Sequence, residues 1–438
     1  MTLISSVSGI RGTLGGKAGD NLTPIDVVRF ASAYGSWLLH NHKKATVVVG
    51  RDARPSGPMV QGLVQQTLIS LGIDVIDVGL STTPTVELEV VRHKAHGGII
   101  LTASHNPKEW NALKLLNEKG EFLNAQECDK INQISQNLST IDFAIVDDLG
   151  SICKESDAIQ HHIQAIQNLP LVDLKAIQSK GFKVVVDGVN STGGIAVPQL
   201  LETLGAEVIP IHCDPNGDFP HNPEPLAHHL SDLSEAVVAY QADLGIAVDP
   251  DVDRLVFMDE KGKLFGEEYT LVACADYVLR TNPGNTVSNL SSTRALAEVT
   301  DQYGGNYFAS AVGEAHVVKL MKKTDAVIGG EGNGGVIYPN LHYGRDALVG
   351  IALFLSHLCH VDCSVSVLRS QYPNWLMRKE KVTLTPQHDI DALLNSIASA
   401  YGAFQVTATD GVKIDFPDGW VHIRKSNTEP IIRIYAEA

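Results

Sequence analysis

The sequence predicts an α/β protein of several domains, and three observations carry this reading. Short β-rich runs alternate with helical stretches in three separate places, each run ends in a polar or glycine-rich loop, and the pattern changes after about residue 370. A chain of 438 residues with 44% hydrophobic content supplies material for three or four compact units.

The first stretch runs TVVVG at 46–50, a helical PSGPMVQGLVQQTLISLG, IDVIDVG at 73–79, a helix through VELEVVRHK, and GGIILTAS at 97–104. Gly72 stands where a helix C-terminal glycine belongs. The second stretch has FKVVVDG at 182–188, a helix over PQLLETLG, AEVIPI at 206–211 and DLGIAVD at 243–249. The third has NTVSNL at 285–290, a helix from about Arg294, and DAVIGGE at 325–331. Such alternation builds mostly parallel sheets, which bind ligands in the loops beyond the carboxyl ends of their strands. Then KVTLTP, a helix over IDALLNSIASAYG, KIDF, GWVHIRK and PIIRIYAEA predict a small α+β domain with an antiparallel sheet. Boundaries are expected within 140–156 and 361–376.

The formal charge is −16, from 50 acidic against 34 basic residues, which argues against nucleic acid or an anionic membrane as partner. The opening MTLISSVSGIRGTLGG lacks the pattern of a secretory signal, and no window offers about 18 uninterrupted apolar residues, so a cytoplasmic protein is expected. Six cysteines without a CxxC pair suit reduced thiols. Cys359-His360-Val361-Asp362-Cys363 could bind metal, but it follows the apolar ALVGIALFLSHL and reads better as the end of a core helix.

Four loops could carry chemistry. In Thr102-Ala103-Ser104-His105-Asn106-Pro107, a serine just past a buried strand can present its hydroxyl as nucleophile or phosphate carrier. His105, adjacent in sequence, is expected to point away from it. In Asp249-Pro250-Asp251-Val252-Asp253-Arg254, three carboxylates at alternating positions can converge on a hard cation such as Mg²⁺, which also calls for a phosphate nearby. An EF-hand is excluded, because Arg254 and Lys261 stand where glycine and glutamate are required. A phosphatase of the haloacid dehalogenase type, with Asp249 as nucleophile and Asp251 as acid/base, is the alternative for this loop. In Gly329-Gly330-Glu331-Gly332-Asn333-Gly334-Gly335, Glu331 and Asn333 suit sugar hydroxyls, since a central glutamate would repel an anion. Arg424-Lys425-Ser426-Asn427-Thr428-Glu429-Pro430, with Arg433 on the next strand, suits a phosphate.

In this order, TASHNP, DPDVDR, GEGNGG and RKSNTEP resemble the α-D-phosphohexomutase family, which includes phosphoglucomutase, phosphomannomutase and phosphoglucosamine mutase. SGIRGT with Arg11 and GRDARPSG with Asp52 and Arg54 extend the resemblance over essentially the whole chain. It implies a four-domain phosphohexomutase architecture around a central cleft, with three related mixed α/β domains at 1–148, 149–258 and 259–367 and a smaller C-terminal α+β domain at 368–438. It further implies Ser104 as the phosphoserine, and Ser104, Asp249, Asp251 and Asp253 as Mg²⁺ ligands. Glu331 and Asn333 would read the sugar, and Arg424, Ser426, Asn427 and Thr428 would clamp phosphate, with Arg254 and Arg433 also binding substrate. Arg11, Lys114 and His316 fall at catalytic positions.

The implied reaction interconverts hexose 6-phosphate and hexose 1-phosphate in a monomer or homodimer, with a hexose 1,6-bisphosphate as intermediate and activator. Because that intermediate must turn end for end, the C-terminal domain is expected to open and close on the cleft. Gly335 replaces a histidine found in many bacterial relatives, and GEGNGG with DPDVDR look like the archaeal-type branch. Proton transfer is therefore expected from Lys114, its pKa lowered by burial beside arginines, or else from His316, His342, Arg11 or solvent. The opening MTLISSVSGIRGTLGGKAGDNLTP looks closest to phosphoglucosamine mutases, with glucose and mannose phosphates as alternative substrates. A metal-dependent sugar phosphatase and a non-catalytic sugar-phosphate binder are the rivals from other classes.

Overall fold

Valine- and isoleucine-rich runs become the parallel strands Thr46–Arg51, Asp74–Leu80 and Gly97–Leu101, where branched side chains pack on both buried faces of a sheet. The computed structural model describes residues 2–383, 389–425 and 431–438. The first sheet has seven strands, in the order Ile4–Ser6, Gly9–Thr13, Trp110–Leu116, Gly97–Leu101, Thr46–Arg51, Asp74–Leu80, Ile152–Lys154. The alternation did not reveal its two outer portions. The N-terminal hairpin joins antiparallel to Trp110–Leu116 and places Arg11 opposite Ala112, while Ile152–Lys154 adds an exposed edge.

The second sheet orders Leu255–Asp259, Leu244–Val248, Lys183–Asp187 and Glu207–Ile211. The third orders Tyr307–Ser310, Thr286–Asn289, Ile328–Glu331 and Gly335–Ile337. The last, Met377–Thr383, Ile431–Glu437, Gly419–Lys425, Val412–Phe416 and Gln405–Thr407, is wholly antiparallel and carries the helix Ile390–Ala400. Three mixed α/β units and a smaller α+β unit follow one another along the chain.

The second and third units share one apolar core. The helix Ala347–Val361 is buried from Ala347 through Leu358, and Phe354 stacks on Phe257 with ring centroids 3.7 Å apart. It ends at Asp362, in the left-handed conformation and bonded to Lys180 at 2.6 Å, so the Cys359–Cys363 stretch is a helix terminus.

The first three units meet at a buried polar junction. Asp346 caps the helix Ala347–Val361 through its Oδ1, and its Oδ2 lies 2.8 Å from His162 Nε2 and 3.2 Å from His342 Nε2. His342 Nδ1 pairs with Glu87 Oε2 at 3.2 Å, and His162 Nδ1 lies 2.9 Å from Thr85 Oγ1. His342 thus faces carboxylates of two units through its two nitrogens. Burial alone would lower its pKa, but the bonds to Asp346 and Glu87 outweigh it and push the imidazole up to about 10. Burial raises Glu87 to about 8. Both groups bind their protons more tightly when folded, so the stability they supply is complete below their unfolded pKa values and drains away as pH rises through these folded values. Calorimetry between pH 6 and 10 is expected to show the unfolding midpoint falling, by about 1 °C for each kcal/mol lost. His342→Gln should flatten the upper part of that decline.

Candidate active site

The buried strand Gly97–Leu101 leads into Ser104, which is buried and takes a left-handed conformation, φ +50°. Such a backbone is strained for a residue with a Cβ and persists only when its surroundings enforce it. Arg54, fully buried, does so. Its Nη2 donates to the carbonyls of Ser104 and of Asn106 (2.7 Å), and its Nη1 to those of Pro107 (2.6 Å) and Trp110 (3.1 Å). Asp52 steadies the guanidinium at Nε (2.9 Å) and accepts from Thr102 Oγ1 (2.7 Å), which in turn accepts from Ser104 N–H (2.9 Å). Arg54→Lys keeps the charge but loses the fork, leaving buried carbonyls unpaired. It is expected to cost about 2–4 kcal/mol in thermal unfolding.

His105 does not point away from the serine, as adjacency in sequence suggested: its Nδ1 lies 3.4 Å from Ser104 Oγ. The left-handed turn at Ser104 bends both side chains to one side. Burial, followed by the charges of Arg254 and Arg11, holds the imidazole well below its usual pKa, so it is neutral at physiological pH.

The second loop follows the buried strand Leu244–Val248, and its carboxylates converge. One ligand atom from each of Asp249, Asp251 and Asp253 lies within 4.8 Å of the others, all fully buried. Asp249 Oδ1 accepts from the N–H groups of Asp253 and Arg254, both at 3.1 Å, and its Oδ2 accepts from Ser104 Oγ at 2.6 Å. Val252 forms the turn at φ +63° with its side chain in the shared core, a conformation rare for a β-branched residue. Asp251 Oδ2 accepts from Thr83 Oγ1 at 2.5 Å and from Lys114 Nζ at 2.6 Å, and Asp253 Oδ2 from Arg345 Nη2 at 2.6 Å. Asp251 Oδ1 and Asp253 Oδ1 are buried without a hydrogen-bond partner. Burial, then the charges of Asp253 and Asp251, drives Asp249 well above the carboxylate range. Two unpartnered oxygens and an uncompensated carboxylate, all hard oxygen donors beside a serine hydroxyl, fit a metal ion.

Lys114 departs from expectation. Burial acts to lower its pKa, but the charges of Asp251 and Asp253, at 2.6 and 3.5 Å, outweigh burial and raise it. The ammonium is paired with carboxylates, whose charges outweigh that of Arg345.

Arg345, which no sequence motif singled out, ties the loops together. Besides Asp253 it donates to Glu314 Oε2 at 2.9 Å and to Glu331 Oε2 at 3.1 Å. The other oxygen of Glu331 accepts from Asn289 Nδ2 (2.8 Å) and Gly313 N–H (3.0 Å). The carboxylate expected to read sugar hydroxyls is thus bonded to three protein donors, which leaves roughly one of its four lone-pair sites. Asn333 Oδ1 accepts from Gly335 N–H at 3.2 Å. At Gly335 a Cβ would lie 2.4 Å from Arg345 Cδ, so the arginine stem occupies the space of any side chain there.

Arg11 donates to Ser8 O at 2.9 Å and to Asn106 Oδ1 at 3.5 Å, beside the serine loop, and burial lowers its pKa. Arg254 pairs with Glu224 at 3.4 Å and Asp253 at 4.0 Å. His316 is exposed on the first turn of the helix Glu314–Thr324. Arg424 donates through Nε to Asp410 at 3.1 Å and stands directly across the ladder from Arg433. Ser426, Asn427 and Thr428 lie outside the described residues. Among those residues, no helix is long and apolar enough to cross a membrane.

The sequence matches four successive profiles of one family: phosphoglucomutase/phosphomannomutase alpha/beta/alpha domains I, II and III at residues 3–142, 160–262 and 266–375, and the C-terminal domain at 381–438. A phosphoglucomutase/phosphomannomutase of Thermococcus kodakarensis is 36% identical over 436 residues, covering 98% of this chain and 94% of that protein. A phosphoglucosamine/phosphogalactosamine mutase of Sulfurisphaera tokodaii is 30% identical, covering 100% and 96%. The crystal structure of a phosphoglucomutase/phosphomannomutase family protein from Burkholderia thailandensis superposes with a TM-score of 0.85 at 27% identity, covering 99% of this chain and 94% of that one. With a strand-end serine facing an acidic triad and all four domains in order, the chain belongs to the phosphoglucomutase/phosphomannomutase family of α-D-phosphohexomutase enzymes.

Proposed function

We propose that this enzyme interconverts hexose 6-phosphate and hexose 1-phosphate through phosphoserine 104 and a hexose 1,6-bisphosphate, with glucosamine phosphate as its preferred substrate. The observation that carries the reading is the 2.6 Å contact of Ser104 Oγ with Asp249, inside a buried triad of carboxylates. Ser104 Oγ, Asp249, Asp251 and Asp253 would hold Mg²⁺, which when bound would neutralise charge on a phosphoryl group at Ser104.

The protein's own groups do the rest. In the first half-reaction the Oγ–P bond of phosphoserine 104 breaks and a P–O bond forms to the free hydroxyl of the hexose phosphate, and the proton that hydroxyl loses ends on Ser104 Oγ. In the second, the other P–O bond of the turned bisphosphate breaks as its phosphoryl group passes to Ser104 Oγ, and the serine proton ends on the sugar oxygen that is released. Lys114, held charged, and Arg11 stabilise negative charge on the group in flight. Arg424, whose guanidinium suits forked binding of a phosphate, supports a clamp for the phosphate that is not reacting, with Arg433 across the ladder. Glu331 and Asn333 line the sugar side. The amino sugar is favoured by the opening sequence and by the name of the Sulfurisphaera relative. A phosphorylated sugar does not cross membranes unaided, so we place the enzyme in the cytoplasm.

Intact mass and peptide mapping before and after incubation with Mg²⁺ and a hexose 1,6-bisphosphate test the reading. It predicts phosphate on Ser104 that exchanges with the substrate pool, and competing glucosamine, glucose and mannose phosphates rank the sugars. A protein whose Ser104 never carries phosphate, and which releases inorganic phosphate instead, would be a phosphatase.

A further inference from the structure

One carboxylate of the fourth unit meets the loop next to Glu331. Asp410 stands in the turn before the strand Val412–Phe416, and its Oδ2 accepts from the backbone N–H of Val312 at 3.0 Å and from Arg424 Nε at 3.1 Å. Val312 belongs to the third unit, in the loop entering the helix Glu314–Thr324, and the next amide, Gly313 N–H, donates to Glu331 Oε1 at 3.0 Å. Successive amides at a helix start thus hold carboxylates from two units, where free N–H groups and the helix dipole favour anions. The carbonyl of Asp410 lies 2.6 Å from His422 Nε2, and His422 Nδ1 lies 2.8 Å from Ser291 Oγ of the third unit.

A guanidinium carries five donors in a rigid fork. Asp410 engages Nε, which sets the plane of Arg424 from one edge and leaves the paired terminal nitrogens for another anion. We infer that Asp410 is a positioning residue that ties Arg424 to the sugar-side loop 311–313, so that docking of the fourth unit and presentation of Arg424 to a substrate phosphate are one event. This rests on the reading that Arg424 holds the phosphate of a hexose phosphate. Loss of the tie loosens Arg424 and the edge of the fourth unit that carries it while a bisphosphate is bound, and the intermediate escapes more often before it has turned.

The test compares full-length parent, Asp410→Ala, Asp410→Asn and Ser291→Ala for calorimetric binding of glucose 1-phosphate, KM, kcat, bisphosphate released per turnover, and thermal unfolding. Asp410→Ala is expected to weaken binding and raise KM by about tenfold or more, with a smaller loss in kcat. Free bisphosphate should rise in parallel. Asp410→Asn, which keeps an acceptor oxygen, should recover part of the loss. Ser291→Ala cuts another contact between the same two units and should stay within about twofold of the parent. The inference is overturned if Asp410→Ala and Asp410→Asn bind like the parent, or if Ser291→Ala matches Asp410→Ala, since docking alone would then account for the effect. A parent that binds no sugar phosphate overturns it too, together with the phosphate reading, and is recognised without any variant.

Discussion

Ser104→Ala is expected to lower phosphohexomutase turnover by roughly 10⁴–10⁶-fold, the scale seen when a covalent nucleophile is removed from a site that otherwise stays intact. No described neighbour can replace it. His105 is a neutral imidazole 3.4 Å from Oγ, and Asp249 is fully buried and bonded to two backbone amides as well as to the serine. The fold should tolerate the change, because Arg54 grips the main-chain carbonyls of the loop and not the hydroxyl. Alanine at φ +50° remains strained, as serine is, so unfolding should shift by no more than about 1–2 kcal/mol. Steady-state turnover and calorimetry on the same preparation check both halves. Substantial residual turnover in a folded variant would sink the phosphoserine mechanism.

Arg345→Met is expected to damage stability and activity together. The guanidinium is buried, and it compensates Asp253, Glu314 and Glu331 at 2.6, 2.9 and 3.1 Å. Removing one partner of a buried ionic cluster leaves charge without compensation and costs about 3–5 kcal/mol. Glu314, already raised by burial, would move further from the charged form. Activity should drop by about 10²-fold, because Asp253 and Glu331 lose the donor that holds them in register. Arg345→Lys should rescue little, since an ammonium cannot reach three carboxylates in fixed geometry. Thermal unfolding and KM report the two effects separately, and a midpoint equal to the parent's would show that the carboxylates are neutralised in another way.

Much of the candidate site was legible in the sequence because its serine and its carboxylates sit in contiguous motifs at strand ends. Ser104 follows Gly97–Leu101 and the triad follows Leu244–Val248, so local chemistry and strand periodicity pointed to both. The elements read by periodicity were likewise local: parallel strands of branched residues, and an antiparallel C-terminal sheet. The hairpin of Ile4–Ser6 with Gly9–Thr13 and the edge strand Ile152–Lys154 escaped, because short strands with partly exposed faces lack a clear hydrophobic period.

What the sequence by itself determined is the order of α/β units, the serine, the carboxylates and the family. What only the tertiary structure decided is who neutralises whom. Thr83 reaches Asp251 across 168 positions, Arg345 reaches Asp253 across 92, and Arg54 reaches the Ser104 carbonyl across 50. No motif records such pairs, because each is made by strands and helices brought together in packing. Lys114 shows the consequence most directly: its position was readable, but the direction of its pKa depended on whether arginines or aspartates stood beside it, and in a buried site the nearest charge sets the sign.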